Sequence, residues 1–585
     1  MSTNTELARR FDRMAALLEL LGENRFRAIA YHKASRALSE QTRDVCELAD
    51  DIAKLTALEG IGKGLAEKII EYCQTGHITE LDELLDKVPP GVLTLLEIPG
   101  LGPKSVANLW KKANVTSLED LKKKLETDEL QDLPRLGKKT LENLARSIAF
   151  AESAGERVLI HKAMAVAEAV VAELSELPNV TRCDYAGSLR RGSETIGDVD
   201  ILAACADPKK QAAAISLAFQ KMANVNDVLL AGEKKTSVRT IDNLQIDLRI
   251  VDEQRYGAAL LYFTGSKAHN VALRERAIRA HYKLNEYGLF KSAEPDTEPP
   301  APEAEPVAAG TEAAIYRKLK LAYIAPELRE DRGEIDAAAH NKLPKLLELG
   351  DIRCELHAHT TASDGHWSIE ELAIAARDRG FHTIAVTDHS QSSAIANGLT
   401  VPRLLQHIKA IREAAKHVDN ITILAGSEVD ILADGRLDYP DDVLAQLDIV
   451  VASPHASLKQ EPAKATARLL RAIENPYVHI LGHPTGRLVN RREGLKPDMH
   501  RIIEAAAETG TALEINANPH RLDLRDTHAH AAIQAGCKLA INTDAHGPPD
   551  MDHLRYGVLT ARRAWATKAD VINTFTPAAL KKWLK

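Results

Sequence analysis

Gly187-Ser188-Leu189-Arg190-Arg191-Gly192-Ser193-Glu194-Thr195-Ile196-Gly197-Asp198-Val199-Asp200 is the stretch on which the reading of this 585-residue chain turns. Asp198 and Asp200 are two apart, so on a strand both carboxylates face one side. There they can hold Mg²⁺ beside a triphosphate, and phosphoryl transfer needs mainly such clamping and alignment. Further on, Gln245-Ile246-Asp247-Leu248-Arg249-Ile250-Val251 alternates like a strand and offers Asp247 as a third carboxylate from a neighbouring strand. Asp-x-Asp alone is ordinarily a solvated strand end. The Gly-Ser and Arg-Arg that precede it at this spacing make a site the better reading.

Residues 1–150 read as short helices with glycine punctuation. Leu58-Glu59-Gly60-Ile61-Gly62-Lys63-Gly64 and Leu96-Glu97-Ile98-Pro99-Gly100-Leu101-Gly102-Pro103-Lys104 each set Gly-hydrophobic-Gly before a helical pattern, about 40 residues apart. A third segment, Leu133-Pro134-Arg135-Leu136-Gly137, has arginine where the first glycine would stand. Such a turn lets the backbone approach a phosphate and presents free helix N–H groups. A single one is as often a plain helix connection; two related turns are a stronger sign of DNA. The net charge of −8 makes that route necessary, because bulk electrostatics will not supply affinity for nucleic acid.

Past residue 350 the chemistry changes: of 22 histidines, 6 precede residue 351 and 16 follow it. Strand-like runs at Thr383–Val386, Ile421–Leu424, Asp448–Val451, His479–Leu481, Ala512–Ile515 and Leu539–Ile541 alternate with helical stretches. Repeated βα units imply a parallel sheet or barrel with its chemistry at the C-terminal strand ends. His357-Ala358-His359, on a strand, puts two imidazoles on one face. Asp364, His389, Glu428, His455, His483, Asp544 and His546 follow, most of them just after strand-like runs. A lone histidine is more often a satisfied core or surface residue, but nine His/Asp/Glu at strand ends are hard to explain that way. Imidazole with carboxylate suits Zn²⁺ or Mn²⁺, and adjacent metals can activate a water against a phosphodiester.

The 187–200 block resembles the nucleotidyltransferase signature of family X DNA polymerases. Tyr262-Phe263-Thr264-Gly265-Ser266, with Asn270 and Arg274 beyond, is similar to that family's nucleotide-selecting segment. The resemblance implies that Asp198, Asp200 and Asp247 hold two Mg²⁺ or Mn²⁺ ions. It also implies that Arg157, Ser188 and Arg191 hold the triphosphate, and that Tyr262 and Phe263 line the sugar pocket beside Gly265. Asn270 would approach the incoming base and Arg274 the template strand. Ile196 and Lys267 depart from the animal beta enzyme, which has a serine and an acidic residue there.

The glycine turns resemble the helix-hairpin-helix of DNA-repair proteins, which implies DNA contact at Gly60, Gly62, Gly64, Gly100 and Gly102 and a monovalent cation at the turns. The first 90 residues resemble the family's small lyase domain, implying Lys68 as a Schiff-base nucleophile supported by Tyr31 and Lys33. Most helix lysines are merely solvated, and a nucleophilic one needs cations or burial around it. The C-terminal half resembles the PHP (polymerase and histidinol phosphatase) family, a distorted (β/α)₇ barrel with three Zn²⁺ or Mn²⁺ ions. By that resemblance His357, His359, Glu428 and Asp544 hold one ion. Asp364, His389 and His546 hold a second, with His366 as the alternative to Asp364. Glu428, His455 and His483 hold a third, and Arg487 contacts phosphate.

The expected architecture is multidomain: helix-hairpin-helix domains, an α+β nucleotidyltransferase palm with a thumb, and a C-terminal (β/α)₇-type barrel. The boundaries read as 1–90 lyase-like, 91–155 fingers-like, 156–255 palm, 256–332 thumb with a Pro/Glu-rich insertion at 292–310, 333–350 linker and 351–585 PHP. Apolar content of 45% with only 4% aromatics calls for aliphatic cores. Cys46, Cys73, Cys183, Cys205, Cys354 and Cys537 form no CxxC pair, so neither a disulfide nor a cysteine zinc site is expected. No signal peptide or membrane span is legible, which suggests a cytoplasmic, nucleoid-associated monomer. Its partners would be gapped or primed duplex DNA and dNTPs. Its reaction would be template-directed gap filling, with 3′–5′ exonuclease, 3′-phosphatase or abasic-site cleavage in the PHP half. The alternatives are a phosphatase for small phosphomonoesters with a vestigial polymerase half, and a non-catalytic DNA scaffold.

Overall fold

A computed structural model describes residues 3–23, 25–40, 45–58, 60–96, 103–127, 129–130, 157–232, 235–292, 304–492 and 494–585. They fall into two compact units, Met1–Glu156 and Arg157–Lys585. Gly100, Gly102 and the third glycine turn lie outside the described residues.

The first unit is helical. Helices Thr3–Leu21 and Arg25–Glu40 pack against each other, and Leu7, Phe11, Leu17, Leu18 and Leu20 are buried in an aliphatic core. Helix Lys63–Thr75 starts directly after Gly60-Ile61-Gly62. Gly60 has φ +84°, a conformation that side chains resist. A Cβ at Gly62 or Gly64 would meet nothing within 4 Å, so the first turn of this helix is open to a ligand backbone. One expectation is corrected: Cys46 and Cys73 are disulfide-bonded. They are 27 residues apart with no sequence signature, but the short helix Val45–Leu48 lies against helix Lys63–Thr75, bringing the two Cα atoms to 5.4 Å, inside bridging range.

The second unit begins with a five-stranded sheet in the order β2-β4-β7-β6-β5. Its strands are β2 (Arg182–Tyr185), β4 (Asp198–Cys205), β5 (Val225–Ala231), β6 (Lys235–Thr240) and β7 (Gln245–Asp252). A small pair, β1 (Val158–Leu159) and β3 (Thr195–Ile196), lies beside it. β4 and β7 run parallel, with Asp200 opposite Asp247. Described residues within 258–292 and 304–346 form a separate aliphatic cluster of helices around the hairpin β8 (Tyr282–Asn285) and β9 (Gly288–Lys291). The stretch read as a 333–350 linker is packed rather than loose: Ala338 is buried there, with Ile335, Leu343 and Leu346 against it.

Seven parallel strands follow in sequence order: β10 (Cys354–Glu355), β11 (Thr383–Val386), β12 (Thr422–Asp430), β13 (Ile449–Ser453), β14 (Ile480–Leu481), β15 (Ala512–Asn516) and β16 (Leu539–Asn542). A parallel bridge between Ala358 and Ala545 brings the first and last strands together, so the sheet is nearly closed into a barrel. Buried aliphatic side chains line both faces of these strands, as helix-covered parallel sheets require. His357 and His359 sit just beyond β10 rather than within it, because the chain there bridges to Ala545 and accepts from Thr387 instead of continuing the ladder.

Candidate active sites

Strand alternation and the β4–β7 register place Asp198, Asp200 and Asp247 together at one end of the five-stranded sheet. Asp198 is exposed, Asp200 partly buried and Asp247 4% exposed. Burial and the charges of Asp198 and Asp247 push the Asp200 carboxyl up to about 6, the signature of carboxylates gathered for a cation. Lys235 Nζ, not anticipated from the sequence, lies 2.6 Å from Asp247 Oδ2. Gly187 has φ +61°, and a Cβ there would sit 2.5 Å from Asp200 Oδ2, so only glycine lets the loop pass the carboxylate.

The other nucleotide-site expectations converge on this loop. Arg157 donates from Nε to Thr195 Oγ1 at 2.9 Å and from Nη2 to Thr195 O at 2.6 Å, bracing the turn before Asp198. Arg191 donates from Nε to Glu330 at 3.0 Å and from Nη1 to the Thr264 carbonyl at 2.7 Å. Ser188 is half-buried in the helix Gly187–Arg190. Ser266 caps helix Lys267–Arg279, and Asn270 Nδ2 donates to the Tyr262 carbonyl at 2.7 Å. Tyr262, Asn270 and Arg274 line one groove with Leu284 and Asn285. Phe263 packs edge-on to Tyr262 with centroids 5.1 Å apart, and Arg249 lies over its ring. Gly265 has φ +64° at the end of helix Tyr256–Thr264, with the Arg191 guanidinium beside it.

In the first unit Lys68 Nζ is 2.7 Å from Glu80 Oε2, which also accepts from Tyr31 at 3.1 Å, while Arg27 pairs with the other oxygen. Glu80 was not legible as a partner, because its helix, Thr79–Asp86, is separate in sequence. Lys33 is exposed, and its backbone lies against Gly60.

The C-terminal mouth of the barrel gathers three groups of potential ligands. His357, His359, Glu428 and Asp544 form one; His359, Asp364, His389 and His546 a second; His389, Glu428 and His455 a third. His483 joins through Nε2, 2.9 Å from Glu428 Oε1. Asp364, rather than His366, faces the cluster, with oxygens 3.5 Å from His546 and 3.6 Å from His389. His357 Nε2, His359 Nδ1, His389 Nδ1, His483 Nδ1 and Glu428 Oε2 are buried without a hydrogen-bond partner. Buried polar atoms are rarely left so, and an N/O set of this kind fits divalent Zn²⁺ or Mn²⁺. Burial would raise the Glu428 carboxyl, but His455, His357 and His389 hold it well below the carboxylate range.

A second layer, only partly visible in sequence, orients these ligands. Glu514, fully buried in the middle of β15, accepts from His357 Nδ1 at 2.8 Å, from the His483 amide at 2.7 Å and from Asn542 at 2.9 Å. Asp388 accepts from Thr360, Ser363 and His407, and Asp430 contacts His455 Nδ1 at 2.8 Å. Each such contact orients a ring or loop toward the cluster. Arg487, expected at a phosphate, is paired in this structure: Nη1 and Nη2 are bonded to Glu194 at 3.1 and 2.6 Å, and Nη2 also to the Leu522 carbonyl. The sequence could not show this, because Glu194 lies 293 residues away.

Residues 158–257 match the DNA polymerase beta palm family and 259–330 the DNA polymerase beta thumb. Residues 2–78 match a helix-hairpin-helix domain, 92–149 a SAM-like helix-hairpin-helix tandem and 355–518 the PHP domain. Over 584 residues the chain is 38% identical to the DNA polymerase/3′-5′ exonuclease PolX of Bacillus subtilis (strain 168), covering 99% of both chains. The chain belongs to the PHP-bearing family X DNA polymerases. The PHP part of this family X chain is also 30% identical to a "Probable phosphatase" of Thermoanaerobacter sp. (strain X514), across 40% of this chain and 94% of that protein. It is 32% identical to a "Probable phosphatase" of Shewanella sp. (strain MR-4), across 33% of this chain and 75% of that protein. Those relatives match 40% and 33% of this chain, whereas PolX matches 99% of it, so the reading as a phosphatase with a vestigial polymerase half has less support. Among the described residues, no helix is long and apolar enough to cross a membrane.

Proposed function

We propose that this protein fills short gaps in duplex DNA by template-directed nucleotidyl transfer and trims 3′ ends hydrolytically in its PHP barrel. The observation that carries the proposal is one compact unit holding two separate clusters, the carboxylates Asp198, Asp200 and Asp247 and the barrel's eight grouped His/Asp/Glu residues with His483 beside them. In the first, Asp198, Asp200 and Asp247 would hold two Mg²⁺ or Mn²⁺ ions, which would supply the positive charge that neutralises a bound triphosphate. Arg157 fixes the loop before Asp198, and Arg191 presents its guanidinium beside Gly265. Tyr262 and Phe263 wall the sugar, and Asn270 and Arg274 share the groove beyond. The primer 3′-oxygen bonds to the α-phosphorus and pyrophosphate leaves. In the barrel, the His/Asp/Glu groups would hold three Zn²⁺ or Mn²⁺ ions, which would supply an activated water for phosphodiester hydrolysis. There Glu514 and Asp430 aim His357 and His455, while Asp364 and His546 stay open to the solvent side from which a DNA end would enter. The first helix-hairpin-helix turn, at Gly60–Gly64, holds DNA backbone with a monovalent cation, and the protein acts as a monomer. Lys68 is the lyase nucleophile. Borohydride should trap the protein on abasic DNA and should not trap Lys68→Ala.

A 5′-labelled primer on gapped duplex, with Mn²⁺, tests the main reading. The primer should lengthen with dNTPs and shorten without them. Asp198→Ala should abolish lengthening and spare shortening, and His359→Ala should do the reverse. Loss of both activities in either folded variant refutes two independent sites, and phosphomonoester hydrolysis with no action on DNA ends would favour the phosphatase reading.

A further inference from the structure

The polymerase loop is held from outside its own domain. Arg563, the last residue of helix Leu554–Arg563 in the PHP part, is part-buried against the palm loop. Its Nη1 donates to the Arg191 backbone carbonyl at 2.8 Å and to Glu330 Oε1 at 2.8 Å. Arg191 Nε donates to the same Glu330 oxygen at 3.0 Å. Asp526 anchors the other side of Arg563, at 3.1 Å from Nε and 3.0 Å from Nη2. Helix and loop also pack closely: a Cβ at Gly192 would lie 3.3 Å from Leu559 Cβ. One PHP arginine thus grips Arg191 twice, through its main chain and through the carboxylate that orients its guanidinium.

We infer that Arg563 is a positioning residue for nucleotide incorporation, acting from the PHP domain through Glu330 on Arg191. The inference rests on the proposed reading of Arg191 as a triphosphate contact. The physical reason is charge balance. Glu330 lies between two guanidinium groups; without Arg563 it answers to Arg191 alone, and both the carboxylate and the Arg191 carbonyl lose a fixed donor. Arg191 then has more than one orientation, and triphosphate binding falls. Arg563 is not among the barrel's ligand groups, so hydrolysis has no reason to change.

The test is single-nucleotide gap filling by the full-length protein, reading KM for dNTP and kcat, alongside primer shortening without dNTPs. Arg563→Gln should raise KM about tenfold, within the range of couplings between contacting charged groups. Shortening should stay unchanged, and circular dichroism should show the variant folded at the assay temperature. Arg563→Lys should recover part of the loss, because it keeps the charge without the fork. Arg563→Gln combined with Glu330→Gln should be less than additive. A dNTP KM within twofold of wild type overturns the inference, as does an equal fall in extension and shortening, which would mark general destabilisation. A wild-type protein that does not extend primers at all would instead refute the reading of Arg191 on which the inference rests.

Discussion

At the residue scale, the site depends on partners that turn an ionisable side chain into an oriented one. Glu514 shows this most clearly. It has no exposure, and its oxygens meet the ring of His357, the amide of His483 and the amide of Asn542. Holding His357 by Nδ1 turns Nε2 toward Glu428 and Asp544. Glu514→Gln should therefore lower metal affinity by about 10- to 100-fold, in competition titration against a chromophoric chelator. Primer extension should not change. Metal affinity equal to wild type would mean that Glu514 only fills space. The ligand residues were legible because histidine and carboxylate recur just after strand-like runs. Glu514 was not, because a single glutamate inside an apolar strand carries no pattern.

At the element scale, the segment 327–334 ties three parts of the second unit together. Glu327 pairs with Arg562, Arg329 with Glu312, Glu330 with Arg191 and Arg563, Arg332 with Asp526, and Glu334 with His269. Arg329 is fully buried, so Glu312 is the decisive partner. Burial alone would raise the Glu312 carboxyl, but hydrogen bonds from Arg190 and the charge of Arg329 bring it down to about 2 from an ordinary 4.5. A depressed carboxyl contributes its stability fully above its unfolded value and loses it as pH falls through the folded one. The contribution, about 3 kcal/mol, should thus be whole at neutral pH and fade from about pH 4.5 down toward 2. Glu312→Gln leaves a buried guanidinium without its counter-charge and should cost about 3–5 kcal/mol at pH 7 by chemical denaturation. The gap from wild type should narrow in acid. An unchanged midpoint at pH 7 would show that Arg329 finds another partner.

At the scale of the whole molecule, two chemistries share one compact unit but depend on metal differently. Most of the barrel ligands are buried, with Asp364, His455 and His546 at the open mouth. The carboxylate triad lies at one end of two inner strands, β4 and β7, with Asp198 exposed. Chelation should therefore abolish primer shortening and lower the unfolding temperature of the barrel. At a hundredfold excess of metal over Kd the stabilisation withdrawn is about 3 kcal/mol. Adding Mg²⁺ back should restore extension, whereas shortening should need Mn²⁺ or Zn²⁺. Recovery of both activities with Mg²⁺ alone would argue that the barrel cluster has no preference among divalent ions.

The sequence by itself determined the order of the parts, the aliphatic cores, six of the seven barrel strands and nearly every ligand, because these follow from periodicity and from residue types repeated at strand ends. What it could not determine lies between segments distant along the chain. The Cys46–Cys73 bond, Lys235 beside Asp247, Glu80 beside Lys68, Arg487 on Glu194 and Arg563 on Glu330 are of this kind. Each is a pairing of ordinary charged or sulfur side chains whose identity is common and whose meaning is distance. Packing alone sets that distance, so only the tertiary structure could decide whether such a residue is solvated, bridged or placed to hold a site in register.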